Sequence, residues 1–262
     1  MTADPTTAPG LHVERATWLP ARTERVGDWL LGFTGGLTRR ANSAVPATAG
    51  APLSDDDLGR IEAWYAATGQ PTVFRICTAA PAGLDRRLAE RGYVEGSVTE
   101  VWVRDLGPGL LAPDAATQHD APAATEHDAP AISQHDTPEP AWLDGWLGVK
   151  ASTAPTDRDL ATGLLTGSPA RYLTARDADG AVLGVLRVGL ADDWAGLSCL
   201  AVSAAARRRG IGRALTLAGL RAAADQGATR AFLQVEVHNA PAVALYRDLG
   251  FRAAERYVYR ER

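Results

Sequence analysis

One stretch limits what this chain can fold into more than any other: Leu197 to Leu220, reading LSCLAVSAAARRRGIGRALTLAGL. Leu197 to Val202 is a short apolar run that suits a buried strand. Ile211, Ala214, Leu215, Ala218 and Ala222 then recur at the spacing of a helix with one buried face. Between them lie small residues, Arg207, Arg208 and Arg209, and the glycines Gly210 and Gly212. A strand, a glycine turn and a helix point the unpaired N–H groups of the first helical turn at an anion, and the helix dipole adds partial positive charge there. Glycine removes the Cβ that would hold a phosphate away. The expected ligand is a phosphate or pyrophosphate.

Two phosphate loops do not fit. Gly212 is followed by Arg213-Ala214 rather than Lys-Ser/Thr, and Leu215 stands where a dinucleotide fingerprint needs its third glycine. Downstream, Phe232 to Val237 reads as a strand in which Leu233, Val235 and Val237 alternate with Gln234 and Glu236. His238-Asn239-Ala240-Pro241, a helix over 243–249, Gly250-Phe251 and a strand near Tyr257 to Arg260 follow. Arg207-x-x-Gly210-x-Gly212 resembles the acyl-CoA pyrophosphate loop of the GNAT superfamily of N-acetyltransferases. Asn239-x-x-Ala242-x-x-Leu245-Tyr246-x-x-x-Gly250-Phe251 looks like the second half of the same signature. The resemblance implies a mixed α/β (α+β) GNAT fold, with a central, mostly antiparallel twisted sheet flanked by helices.

The first half has a related shape. Two strands are expected over 28–33 and 39–45 around Thr34-Gly35-Gly36. A helix capped by Ser54 should carry Asp55, Asp56 and Asp57 in its first turn, run through Leu58, Ile61, Trp64 and Tyr65, and end at Gly69. Strand 72–77, helix 84–90 with Gly92-Tyr93, and strand 97–104 complete it. Phe74 to Tyr93 matches Phe232 to Phe251 at an offset of 158 residues without a gap. Under that offset Leu88 stands for Tyr246 and Pro81 for Asn239, and no Arg-x-x-Gly-x-Gly loop precedes Phe74. With segments such as Arg40-Ala41-Asn42-Ser43, the whole chain resembles the two-unit acetyltransferases of actinobacteria, whose N-terminal unit is commonly degenerate. The alternative is chance recurrence of a common α/β series.

Four segments are expected: a flexible lead over 1–20, a degenerate GNAT-like unit over 21–108, a disordered linker over 109–140, and a GNAT acetyltransferase domain over 141–262. The linker contains TQHDAPAA, TEHDAPAI and SQHDTPEP, three copies of an eight-residue unit with proline in each. His119, His127 and His135 could instead make it a metal-binding tract; the favoured reading is a linker with no metal. Two short helices, near Trp142–Leu147 and over 157–165, and a hairpin of 171–176 and 182–188 open the C-terminal unit. Its first strand is not evident, and the N-terminal half is expected to supply that edge.

Net charge is −4, which gives no reason to expect nucleic acid. No apolar run reaches membrane-spanning length, and the N-terminus lacks a signal-peptide pattern. Cys77 and Cys199 read as buried free thiols of a reducing cytoplasm. Lys150 is the single lysine, a bias expected of a GC-rich bacterial coding sequence. Monomer and homodimer both remain open.

The resemblance assigns roles. Backbone N–H groups around Arg207, Arg208, Arg209, Gly210, Ile211, Gly212 and Arg213 would hold the pyrophosphate of acetyl-CoA, the cosubstrate. Leu200, Ala201 and Val202 would pair with the pantetheine arm as a strand does, one N–H polarising the thioester carbonyl. Asn239 would bond the pantetheine and also cap its helix, and Tyr246 would protonate the departing thiolate. Protein N-terminal acetyltransferases often carry Glu where this chain has Gln234, so Glu236, two residues on, is the nearest general base. Asp192 and Asp193 could instead draw an amine into the site, and an ordered water chain could also serve as the base. The implied activity is acetyl transfer to a primary amine, on a small molecule or a protein N-terminus. The N-terminal unit is expected to shape the acceptor pocket, so that deleting residues 1–110 spares cofactor binding. A non-catalytic acyl-CoA-sensing or scaffold protein is the alternative, and a nucleic-acid binder using Arg207 to Arg209 a more distant one.

Overall fold

The computed structural model describes residues 8–107, 130–149 and 157–262. In chain order it contains α1 (Gly10–Thr17), β1 (Arg22–Val26), β2 (Trp29–Phe33), β3 (Ala44–Pro46), α2 (Asp55–Ala67), β4 (Val73–Ile76), α3 (Leu84–Glu90), β5 (Val94–Asp105) and β6 (Ala131–His135). There follow α4 (Pro140–Leu147), α5 (Arg158–Thr166), β7 (Ala170–Arg176), β8 (Val182–Ala191), β9 (Trp194–Val202), α6 (Ile211–Asp225), β10 (Arg230–Glu236), α7 (Ala240–Asp248) and β11 (Arg252–Glu261). All the strands join one eleven-stranded sheet in the order β1-β2-β3-β4-β11-β5-β10-β9-β8-β7-β6. Its pairs are antiparallel except β3–β4 and β9–β10. The near-continuous burial along β8 (VLGVLRVGLA) fits a strand covered on both faces, as α1, α4 and α6 all pack on it.

The order reads almost the same from either side of the β5–β11 pair. β1, β2, β3, β4 and β11 on one side correspond to β7, β8, β9, β10 and β5 on the other, with β6 added at one edge. The 158-residue offset relates α3 to α7, β5 to β11, and α2 to α6. Thr99 pairs with Tyr257, its own counterpart at that offset, while Val98–Val258 and Glu100–Arg256 exchange places around it. An approximate twofold axis therefore passes through the Thr99–Tyr257 pair. Each half lends its last strand to the other: β5 lies between β10 and β11, and β11 between β4 and β5.

Several expectations need correction. Within the expected flexible lead, residues 10–17 form α1, docked through buried Val13, Glu14 and Thr17. Polar β1 was not anticipated, since the only buried residue in RTERV is Val26. The expected strand over 39–45 is a 3₁₀ turn at Arg39–Ala41 followed by the short β3. The edge beside β7 comes from the expected linker, whose residues 131–135 form β6 and pair with β7 from Ala131–Arg176 to His135–Tyr172. The sequence AISQH has no apolar–polar alternation to mark a strand, and it is the backbone pairing with β7 that holds it. His119 and His127 lie outside the described residues, and among those described no cluster of His, Cys, Asp and Glu could hold a metal ion.

Candidate active site

The site begins where two parallel strands separate. β9 and β10 pair from Trp194–Arg230 to Leu197–Leu233 and no further. Beyond that point β10 stays with β5 as far as Glu236–Thr99, and β9 stays with β8 as far as Val202–Gly184. The cause lies in β9. Between Ser198–Arg187 and Ala201–Val185 it carries one residue more than β8, and Cys199 takes a left-handed φ of 59°. Such a bulge bends a strand away from its neighbour. The edge of β9 facing β10 is thereby left open over Leu200, Ala201 and Val202, where an extended ligand could add as a strand.

The expected phosphate loop lies at the end of that open edge. Arg208 (φ 65°) and Gly210 (φ 76°) both have left-handed backbones, and α6 starts at Gly210 with no side-chain cap. Alternating backbone of this kind gathers successive N–H groups into an anion-binding concavity. Nothing lies within 4 Å of the place a Gly210 Cβ would occupy, while Gly212 faces Leu245, Val202 and Leu200. Those contacts bring together the loop, the end of β9 and α7. α7 has no fully buried residue, although Ala242, Val243, Leu245 and Tyr246 lean on the core. Its apolar face thus borders an incompletely filled groove.

Asn239 caps α7, accepting a hydrogen bond from the Ala242 N–H at 3.3 Å. Tyr246 packs edge-on against Phe251, with ring centroids 5.9 Å apart. Burial pushes its phenol from the usual 10 up to about 12, so it stays protonated at neutral pH, the state a proton donor needs.

Beside the splay opens a cavity of about 260 Å³, bordered by Arg40, Ser198, Cys199, Gln234, Glu236 and Tyr257. It meets a second cavity of about 480 Å³ at Arg39 and Glu236. Gln234 and Glu236 share a face of β10, as residues two apart on a strand must. Glu236 also bonds His238 Nε2 at 2.9 Å. The Ser198 hydroxyl is buried without a hydrogen-bond partner among the described residues. Cys199, expected to be buried, is half-buried at the cavity wall because the bulge turns it out of the strand. Asp192 and Asp193 belong to the turn at the far end of β9; Asp193 is held by Arg230 at 2.9 Å and Asp192 lies near His12. The structure does not bring either of them to the cavity.

Sequence reading missed the polar floor. Gln234 accepts from Arg40 Nη1 at 3.2 Å and from the Tyr257 hydroxyl at 3.1 Å, and its amide donates to Glu14. Glu14 and Arg75 form a buried bidentate pair at 2.8 and 3.0 Å. The Arg75 guanidinium stacks 3.8 Å from the Tyr257 ring centroid. Arg39 and Arg40 are placed by the loop before them, which is held by the Asn42 side-chain Oδ1 accepting from the N–H groups of Thr34 (2.6 Å) and Gly36 (3.0 Å). The segment Arg40-Ala41-Asn42-Ser43 carried the resemblance of the N-terminal half but was expected within a strand. Nothing in the sequence linked Glu14 to a strand 220 residues later.

A parallel pair split by a bulge, an uncapped helix start beyond it, and a tyrosine-bearing helix alongside are the features of a GNAT-type N-acetyltransferase. The fold agrees: a GCN5-related N-acetyltransferase from Kribbella flavida superposes with a TM-score of 0.65 at 18% identity, covering 94% of this chain and 91% of that one. A tandem GNAT protein from the clavulanic acid biosynthesis pathway gives 0.62 at 17%, covering 97% and 88%. The chain belongs to the family described as "Probable histone acetyltransferase Rv0428c C-terminal", whose model matches residues 12–260. The uncharacterized N-acetyltransferase YobR of Bacillus subtilis is 27% identical over 94% of both chains. A mycothiol acetyltransferase of Clavibacter michiganensis is 43% identical over 86 residues, which make up 33% of this chain and 28% of that protein. Among the described residues no helix is long and apolar enough to cross a membrane.

Proposed function

We propose that the chain transfers an acetyl group from acetyl-CoA directly to a primary amine, at one working site in its C-terminal half. The observation that carries this reading is the uncapped start of α6 at Gly210, set at the open end of the β9–β10 splay. Backbone N–H groups over 207–213 would hold the pyrophosphate, and the open edge over 200–202 would align the pantetheine and polarise the thioester carbonyl. Asn239 would contact the pantetheine while capping α7. The acceptor amine, entering from the cavity, forms its bond to the thioester carbon as the C–S bond breaks. Glu236 takes the proton the amine loses, and the Tyr246 phenol supplies one to the leaving sulfur.

The N-terminal half supplies part of the cavity wall, through Arg39, Arg40, Ser97 and Thr99, and no second acyl-CoA site. The counterpart of the phosphate loop is the start of α2, which is capped by Ser54 and lined by Asp55, Asp56 and Asp57. A chain with these properties would act in the cytoplasm.

Calorimetric titration of acetyl-CoA tests this. The wild type should bind, and Gly210→Glu, which puts a carboxylate at the helix start, should lose at least about 100-fold in affinity, or ~2.7 kcal/mol. Equal binding by the two proteins would move the cofactor off the 207–213 loop.

A further inference from the structure

We propose that Arg40 is the anchor for a carboxylate on the acceptor, so that the acetylated amine belongs to a small amino carboxylate rather than to a polyamine or a basic protein tail. The inference rests on the acetyl-transfer reading above and names the acceptor class for the same site.

It comes from a charge imbalance. Three charged side chains are fully buried among the described residues: Glu14, Arg75 and Arg187. Glu14 is used on both oxygens by Arg75. Arg187 is satisfied by neutral groups, the carbonyls of Leu165 (3.0 Å) and Thr17 (2.8 Å) and the Ser168 hydroxyl (2.9 Å). Arg40 adds a further cation at the cavity wall. Its polar partner is the amide oxygen of Gln234, and its guanidinium lies 4.3 Å from the centroid of Trp18, which also has the Arg187 guanidinium at 5.2 Å. Among the described residues no carboxylate is within ion-pair distance of Arg40.

Arg40 is half-buried, a setting in which a cation gains from a counter-charge, and burial pulls its guanidinium below the ordinary value. Arg40 lines the cavity, and a guanidinium's planar fork of donors matches a carboxylate. Neighbouring Arg39 does not compete, because it is engaged by Glu261 at 3.0 Å. The carboxylate lining the same cavity is Glu236. Gln234, which touches Arg40, and Glu236 are two residues apart, about 6.6 Å along a strand. A small zwitterion spans that gap with its amine toward Glu236 and its carboxylate on Arg40. A lysine-rich tail or a polyamine would offer an amine to Glu236 but no anion to Arg40.

The experiment titrates a panel of N-acetylated amino acids and their C-terminal amides into CoA-saturated protein by calorimetry, then measures turnover of the corresponding free amines. At least one acid should bind about tenfold tighter than its amide, equivalent to ~1.4 kcal/mol. Arg40→Met should erase that preference, Arg40→Lys should retain part of it, and CoA affinity should be equal in all three proteins, which also reports their folding. Acids and amides binding alike, or both failing to bind, would overturn the proposal. So would equal weakening of both by Arg40→Met, which would make Arg40 a general electrostatic group. Spermidine or a histone-tail peptide emerging as the best acceptor would overturn it too. Failure of CoA itself to bind would instead remove the acetyl-transfer reading on which the inference rests.

Discussion

The starts of α2 and α6 occupy equivalent places in the two halves and use the same backbone in opposite ways. α2 satisfies itself: the Ser54 side chain accepts from the Asp57 N–H, and Asp55, Asp56 and Asp57 complement the helix dipole. α6 has no side-chain cap and no acid in its first turn, and three arginines precede it. One helix start is finished within the chain. The other leaves its positive end without a cap. The duplicated fold places a helix start beside a parallel strand pair in each half, and a few side chains decide which of the two can hold an anion.

The comparison treats the halves as separable, and the sheet shows that they are not. β5 is paired on both sides with strands of the C-terminal half. Removing residues 1–110 should therefore abolish cooperative folding altogether, the largest effect expected here, instead of sparing cofactor binding as a two-module view implies. A calorimetric melt of the 111–262 fragment checks it. A sharp transition with retained acetyl-CoA binding would restore the two-module view.

A second contrast lies at offset 158, where Tyr246 faces Leu88. Leu88 is fully buried and Tyr246 is not. Replacing Tyr246 by leucine installs the residue of the other half, and Tyr246→Phe removes only the hydroxyl. Both should lower kcat about 100-fold, the low end for general acid–base catalysis, with little change in acetyl-CoA affinity. The pH dependence follows from the raised phenol. Because the folded value is about 12 against a usual 10, the group holds its proton more tightly when folded. Its stabilising contribution is complete below pH 10 and is lost as the pH rises toward 12. Wild-type kcat should accordingly show no alkaline loss from this group below pH 10. Unchanged kcat in Tyr246→Phe would leave Tyr246 as a packing residue against Phe251.

Exchanging charges tests the comparison directly. Arg208→Asp with Arg209→Asp should raise KM for acetyl-CoA about tenfold, roughly 0.7 kcal/mol for each solvent-screened reversal. Asp55→Arg with Asp56→Arg should leave it unchanged, since Ser54 still occupies the helix start. An equal response to both exchanges would mean that overall charge, and not the open helix start, attracts the cofactor.

Much of this was readable from residue order, for identifiable reasons. The loop and α7 were legible because both are local: Gly210 supplies a left-handed residue and Asn239 a cap within a few positions of the groups they serve. Ser54 and its aspartates were legible for the same reason. The bulge at Cys199 was not, because nothing in LSCLAV distinguishes a straight strand from one carrying an extra residue. Strand exchange between the halves was hidden although the 158-residue offset was visible, since a repeat fixes shape within a unit and not the partner of its last strand. Glu14 and Arg40 belong to contacts made across 61 and 194 residues of chain, where local periodicity carries no information.

The smallest expected effect is also the most discriminating. Ser54→Ala removes one side-chain acceptor from a helix start that binds nothing else, so it should cost about 1 kcal/mol of stability. For a chain of this size that lowers Tm by about 2–4 °C. Acetyl-CoA affinity should not change. α6 offers no such cap to remove. Gly210→Ala finds open space for its methyl group and strains only a left-handed backbone, a cost of the same order, about 1 kcal/mol. The two variants should thus melt alike and differ in ligand response. Saturating acetyl-CoA should raise the melting temperature of Ser54→Ala as much as that of the wild type, and that of Gly210→Ala by less, because binding draws on the backbone geometry this substitution disturbs. If both variants gain equally from the ligand, the left-handed residue at position 210 is a device for turning the chain into α6, and the anion must be held elsewhere along the open edge.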